Sequence, residues 1–140
     1  MKYSKTKIVF FAFIGVFFLL LAFLFMFYLS VTDTENVKIE GYVYDKMTNK
    51  PIESAKILIE NYRYEDNNGN SNYDEYLGLD KISVCTDKNG FYETKFDKSA
   101  YVVIEIHKNG YKTTMENGEY SSKNMDFKTD LEKNDYSINR

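Results

Sequence analysis

Val37-Lys38-Ile39-Glu40-Gly41-Tyr42-Val43-Tyr44-Asp45 is the stretch on which the fold turns. Val37, Ile39, Gly41 and Val43 alternate with Lys38, Glu40, Tyr42 and Tyr44, the period-two pattern of a strand with one buried face. The polar segment Asp45 to Pro51 closes it. A second strand follows with Ala55, Ile57 and Ile59 inward and Lys56 and Glu60 outward. Ile82, Val84 and Thr86 alternate next, up to Asp87-Lys88-Asn89-Gly90, which reads as a hairpin turn because Asn-Gly tolerates positive φ. Tyr92, Thr94 and Phe96 return on one face. Val102, Ile104 and Ile106 follow, then a short strand from Tyr111 and a last one over Met125–Leu131. No segment in this region sustains the i, i+3, i+4, i+7 spacing of an amphipathic helix. The expected fold is all-β, an antiparallel Ig-like sandwich of about seven strands.

Upstream the composition changes. Ile8 to Leu29, IVFFAFIGVFFLLLAFLFMFYL, carries no charge and holds eight of the 11 Phe, whereas 11 of the 13 Tyr lie beyond Ser30. At ~1.5 Å per residue such a run crosses a ~30 Å hydrocarbon core as one helix. Lys2, Lys5 and Lys7 precede it and Asp33 and Glu35 follow, which places the N-terminus in the cytoplasm and the rest outside it. A cleaved secretory signal also starts with basic residues. This run, however, exceeds the ~7–15 residues of a signal core, and Met26-Phe27-Tyr28-Leu29-Ser30-Val31 offers no small-x-small cleavage site. Gly15 has Phe11 and Leu19 four positions away, so the span lacks a small-xxx-small dimer motif. The expected organisation is a cytoplasmic segment 1–7, a transmembrane signal anchor 8–29, a linker 30–36, a β-sandwich domain 37–131 and a polar, frayed tail 132–140.

Beyond the span, 15 basic residues face all 21 acidic ones, a balance of about −6. That disfavours nucleic acid and a domain lying flat on anionic lipid, both of which need clustered Lys and Arg. Cys85 is the single cysteine, so no internal disulfide forms. Its place in the alternating stretch Ile82-Ser83-Val84-Cys85-Thr86 reads as a structural thiol.

Taken in order, Ile39-x-Gly41-x-Val43-x-Asp45, Lys50-Pro51-Ile52-Glu53-Ser54-Ala55, Thr86-Asp87-Lys88-Asn89-Gly90-x-Tyr92, and Tyr101 followed by aliphatics up to Gly110-Tyr111 resemble the carboxypeptidase regulatory-like domains. These are a transthyretin-like β-sandwich family, similar also to the Cna-B-type repeats of surface proteins. The resemblance spans about Val37 to Leu131 and departs at Arg63–Asp80, which is longer and more polar. It implies a module that accompanies other proteins rather than an enzyme. Cna-B-type domains often carry a Lys–Asn isopeptide bond helped by a buried carboxylate. Glu105 stands near that carboxylate's place, but the inward positions of the first strand hold no Lys, so Glu105 reads as solvent-facing.

The residues themselves point the same way. Gly41 admits a bulky neighbour against the first strand, and Gly110 frees the turn before Tyr111, whose ring can cap the core while its hydroxyl reaches backbone. His107 is the only His, too few for a zinc peptidase centre or for the hydrolases on a transthyretin fold. Asp66, Asn68, Asn70, Asn72 and Asp74 place oxygen at every second position like a calcium loop, yet Ser71 replaces the turn Gly and Leu77 the bidentate Glu, so the loop reads as solvated. Tyr42 and Tyr44 share an outward face, and Tyr62, Tyr64, Tyr73 and Tyr76 lie in or near the insertion. Such tyrosines suit half-buried strand positions and can equally form a binding surface. No catalytic, cofactor or metal site is expected and the chain is not expected to be an enzyme. The expected function is a membrane-tethered, extracytoplasmic module docking onto an envelope protein. The alternative is a glycan or small-molecule binder using the tyrosine face and residues 63–80.

Overall fold

The computed structural model describes residues 5–30, 32–72 and 74–134. They form two units, residues 1–32 and 33–140. The first unit is α1 (Lys5–Ser30), apolar on every side. Val9–Tyr28 within it is the one stretch among the described residues long and apolar enough to cross a membrane, and it suits a membrane anchor or a signal sequence alike. Lys2, Tyr73 and the tail from residue 135 lie outside the described residues.

The second unit is a two-sheet β-sandwich of β1 (Thr34–Asp45), β2 (Lys56–Arg63), β3 (Gly78–Cys85), β4 (Phe91–Ser99), β5 (Tyr101–His107), β6 (Thr114–Tyr120) and β7 (Asn124–Leu131). One sheet has the order β4-β1-β7 and the other β3-β2-β5-β6. Their facing sides share one core. Val37, Ile39 and Val43 of β1, Tyr92 and Phe96 of β4 and Met125 and Leu131 of β7 meet Ile57 and Ile59 of β2 and Val102, Ile104 and Ile106 of β5.

The short strand expected from Tyr111 runs instead over Thr114–Tyr120, with Tyr111 in an isolated bridge to Lys133, and two further features differ from the antiparallel sandwich and hairpin expected from the sequence. β7 lies parallel to β1, with Ile39 opposite Met125 and Val43 opposite Thr129. After β6 the chain changes sheets, Lys123 accepts the Lys38 N–H through its carbonyl, and β7 then runs alongside β1 in the same sense. Period-two alternation is identical in parallel and antiparallel strands, so the pattern carries no direction. The Asp87–Gly90 turn, moreover, joins β3 to β4 in different sheets and is a corner rather than a hairpin. Here the buried Thr86 hydroxyl accepts from Ala55 N at 2.8 Å and donates to the Ile52 carbonyl at 2.7 Å. Gly90, at φ 73°, donates to Asp87 O and accepts from Val43 N. A Cβ at this position would lie 2.5 Å from the Val43 carbonyl oxygen, so only glycine fits.

Gly41 has its expected role: the Tyr92 ring lies over it, and a methyl at 41 would come within 2.6 Å of Tyr92 Cζ. Tyr111 covers the edge of the core, but its hydroxyl donates to the Asp45 carboxylate at 2.7 Å instead of reaching backbone. Asp45 also accepts from Met47 N and Thr48 N. The Tyr111 hydroxyl and these amides hold the buried Asp45 carboxyl well below the usual carboxylate range. Glu132, Lys133 and Asn134, expected to fray, are pinned by backbone bonds to Lys112 and Gly110 and a bridge to Tyr111.

Gly41→Ala should therefore destabilise the sandwich by about 1–3 kcal/mol through overpacking against Tyr92, read as a lower denaturation midpoint in detergent-solubilised protein. Asp45's contribution is complete above the unfolded carboxylate value of ~4 and is lost as pH falls toward its depressed folded value. Tyr111→Phe should lower the melting temperature at neutral pH and also flatten the loss of stability below about pH 4, where wild type surrenders this bond. Parallel pH–stability curves for the two proteins would contradict that account.

Candidate functional site

The second sheet carries a row of side chains across all four of its strands. Strand register places Tyr62 between Leu79 of β3 and Tyr101 of β5, and Tyr101 beside Tyr120 of β6. Asn61 and Val102, one position away, face the core, so this row points outward. The ring centroids of Tyr62 and Tyr101 are 6.2 Å apart, and those of Tyr101 and Tyr120 5.5 Å. Tyr76, from the connection between β2 and β3, stacks on Tyr101 at 6.1 Å and meets Tyr62 at 5.6 Å and Tyr64 at 5.1 Å. Gly118 makes room for the Tyr101 ring, whose hydroxyl would lie 2.0 Å from a Cβ there. Burial within the cluster, reinforced by Tyr64 and Tyr120, pushes the Tyr76 phenol up to about 12. A hydrogen bond from Tyr62 to the Glu60 carboxylate raises the Tyr62 phenol. Even so, Tyr76, Leu77, Leu79 and Tyr120 stay exposed, Tyr120 by 74%. Sequence reading grouped Tyr62, Tyr64 and Tyr76 with the insertion but left out Tyr101 and Tyr120. Their outward strand parity was the available signal, but only the pairing of β2, β5 and β6 brings them together.

A second aromatic patch occupies the outer face of the first sheet. Tyr42 and Tyr44 stack at 6.2 Å, Phe91 lies 5.1 Å from Tyr42, and the Lys128 ammonium sits 5.4 Å above the Tyr44 ring. β1 positions it by pairing Tyr42 with Phe91 on one side and Lys128 on the other. Nine residues separate Tyr42 from Asp33, about 30 Å of strand. The two patches therefore lie toward opposite ends of the sandwich.

The 63–80 insertion is a folded polar loop. The Asp66 carboxylate accepts from Asn68 N at 2.8 Å, from Asn70 N at 2.9 Å and from Asn70 Nδ2 at 2.9 Å. Asn72 Oδ1 accepts from Asp74 N. Two of the alternating oxygens that resembled a calcium loop, those of Asp66 and Asn72, thus turn onto the loop's own amides, as Asx turns do. At its base the Arg63 guanidinium, with 11% of the side chain exposed, forks onto Asp80 at 3.0 and 3.2 Å and also reaches Glu65 O and Asn67. Beside it an open cleft of 690 Å³ is lined by Arg63, Glu65, Asp80, Thr94, Phe96 and Lys98. Glu65 pairs with Lys98 at 2.6 Å, so the charges here already bind one another.

Other sequence candidates fall elsewhere. Glu105 stands on the outer face of β5 as expected, with its carboxylate 3.2 Å from His107 Nε2, while His107 Nδ1 contacts Thr113 Oγ1 at 3.1 Å. Cys85 is exposed at the end of β3, which corrects its reading as a structural thiol. Its parity sets it opposite Lys56, on the face away from the core. Among the described residues no three His, Cys, Asp or Glu side chains gather where they could hold a metal.

No protein-family model and no curated protein matches the chain. Solved structures do. A 3-chlorocatechol 1,2-dioxygenase from Rhodococcus opacus 1CP aligns over 74% of this chain and 62% of its own, at 14% identity and a TM-score of 0.53. A single-site mutant of Acinetobacter radioresistens catechol 1,2-dioxygenase aligns over 71% and 52%, at 14% identity and a TM-score of 0.51. The C-terminal domain of the shaft pilin SpaA from Lactobacillus rhamnosus GG aligns over 72% of this chain and 100% of its own, at 13% identity and a TM-score of 0.45. The chain spans little more than half the length of the dioxygenases it matches. At this identity the likeness shows a shared fold. It nevertheless overturns the expectation that the chain is not an enzyme, as far as fold bears on it: the fold is enzyme-related. A lone His and ordinary turn motifs bear on particular chemistries, whereas kinship of fold rests on topology, which they do not encode.

Arg63→Ala should cost about 1–3 kcal/mol by stranding the Asp80 carboxylate and the loop carbonyl it holds, and should speed protease cleavage within residues 64–77. A variant that melts and digests like wild type would show that the insertion holds itself without this guanidinium.

Proposed function

We propose that the chain is a single-pass membrane protein of a cell envelope, with its N-terminus cytoplasmic, residues 8–29 as anchor, 30–36 as linker and 37–131 as the body of an extracytoplasmic sandwich of the transthyretin-like, carboxypeptidase regulatory-like type. The module docks onto another envelope protein through Tyr42, Tyr44 and Phe91. The carrying observation is that patch: two stacked tyrosines and a phenylalanine beside a lysine, with Tyr42 43% exposed. Aromatic anchors of this kind concentrate binding energy at protein interfaces. The anchor supports the reading by holding the module near membrane-bound partners, which raises its effective concentration there. The basic residues before the span and the acidic ones after it support the orientation. The motif order from Ile39 to Tyr111 supports the sandwich type.

The cleft beside Arg63 favours a second reading, a small polar ligand held between the insertion and β4. It is the weaker of the two because two of its three basic side chains, Arg63 and Lys98, are already taken by Asp80 and Glu65.

A photo-crosslinking residue at position 42 in the full-length protein, expressed in intact cells, should trap one discrete protein adduct. The same residue at the exposed Glu53 should not. Tyr42→Ala with Tyr44→Ala should reduce recovery of that partner several-fold without moving the melting temperature. Equal capture at both positions would remove the patch from the interface.

A further inference from the structure

The tyrosine row of the second sheet lies at the end of the sandwich where the chain enters it. Asp33, the first residue of the β unit, accepts from Tyr64 N at 2.8 Å and Glu65 N at 3.2 Å. Thr34 Oγ1 donates to the Ser121 carbonyl, next to Tyr120, at 3.0 Å. Ser30, the last residue of α1, precedes Asp33 by three positions. Three residues span at most about 10 Å even when fully extended. If α1 crosses a bilayer, chain connectivity keeps Asp33 within about 10 Å of its end, and the row lies on the part of the sandwich that Asp33 and Thr34 hold.

The chemistry of the row suits that place. Tyr presents an apolar ring with a hydroxyl at its tip, the combination enriched at membrane–water interfaces. Leu79 and Tyr120 are exposed at the two edges of the row, and Tyr76 and Leu77 are exposed beside it, an apolar surface of the kind that calls for an occupant. Lys81 is engaged with Glu60 and Lys98 with Glu65, and Lys123, three positions after Tyr120, is a single basic residue. Among the described residues no basic cluster accompanies the row, so the surface it fits is a neutral, zwitterionic one.

We propose that Tyr62, Tyr76, Tyr101 and Tyr120, with Leu77 and Leu79, form an interfacial belt that seats the sandwich on the headgroup layer of a zwitterionic bilayer. This rests on α1 being the membrane anchor. It assigns the two aromatic patches different work: the row meets lipid, while Tyr42, Tyr44 and Phe91, about 30 Å further along β1, stay clear of it for the docking partner.

The chain contains no Trp, so one introduced tryptophan reports its own position. Full-length Phe17→Trp, Tyr42→Trp and Tyr120→Trp variants would each be reconstituted into phosphatidylcholine vesicles, with and without lipid brominated near the top of the acyl chains. Tyr42 and Tyr120 are exposed, so the larger ring is accommodated. The expected result is strong quenching at 17, clear quenching at 120 and several-fold less at 42. Quenching at 17, with 120 as dark to bromine as 42, would overturn the belt while leaving the anchor standing. A glutaraldehyde-trapped dimer of the Tyr120→Trp protein in that case would assign the row to a second copy of the chain. No quenching at 17 would show that the helix does not enter the bilayer, and the belt would fall with the anchor.

Discussion

The sandwich depends on β1 being hydrogen-bonded along both edges while its inward side chains are wholly buried. Val37, Ile39 and Val43 lose all contact with solvent because β4 closes one side, β7 the other, and β2 and β5 cover the face. Gly41 interrupts that row, and the Tyr92 ring fills the space its missing side chain leaves. A strand so enclosed has little freedom of register, because a slip of one residue would turn Lys38, Glu40 and Tyr42 into the core. Everything outward is set by the same parity. The Tyr42–Tyr44–Phe91 patch exists because the residues between it are the ones buried.

The ends of the sandwich are held by polar contacts rather than apolar ones. At one end Asp45 gathers the Tyr111 hydroxyl and two turn amides, and Lys133 lies 3.5 Å away. Thr86 ties the two inter-sheet corners together nearby. At the other end Asp33 caps the start of the insertion, and Arg63 clamps the loop to Asp80. Buried polar groups need such partners to be tolerated. Because these partners are far apart in sequence, each bond also fixes topology. Asp33 has particular weight, since the insertion and the entry point of the chain are secured by the same carboxylate.

The wider relationships follow from this architecture. The chain crosses between sheets at residues 87–90 and again after β6, so that β7 lies parallel to β1, and it shares its fold with part of the catechol dioxygenases at 14% identity. A fold maintained at so low an identity rests on alternation, corners and a few obligate glycines, which many sequences satisfy. Its use in enzymes is a property of the architecture, and what a member does depends on the side chains it displays. In this chain the conspicuous displays are aromatic.

Much was legible in the sequence. Most strand positions, the inward faces of β1, β2, β4 and β5, the special place of Gly41 and the apolar run follow from local pattern, because alternation and hydrophobic length are properties of neighbouring residues; β6, over Thr114–Tyr120, has no clear alternation and was expected from Tyr111. Tyr42 and Tyr44 were recognisable as a pair for the same reason. Strand direction was not, nor was the sheet to which each strand belongs, since parallel and antiparallel strands alternate alike and a corner uses the same residues as a hairpin. Asp45 looked like a turn residue until Tyr111, 66 positions away, supplied a hydroxyl donor. Tyr101 and Tyr120 looked like ordinary strand tyrosines until register set them beside Tyr62. The chain by itself determined where most strands run, which faces are buried and where a helix of membrane-crossing length lies; tertiary structure alone decided which outward side chains meet, because that depends on pairing between strands distant in sequence, and no local period records it.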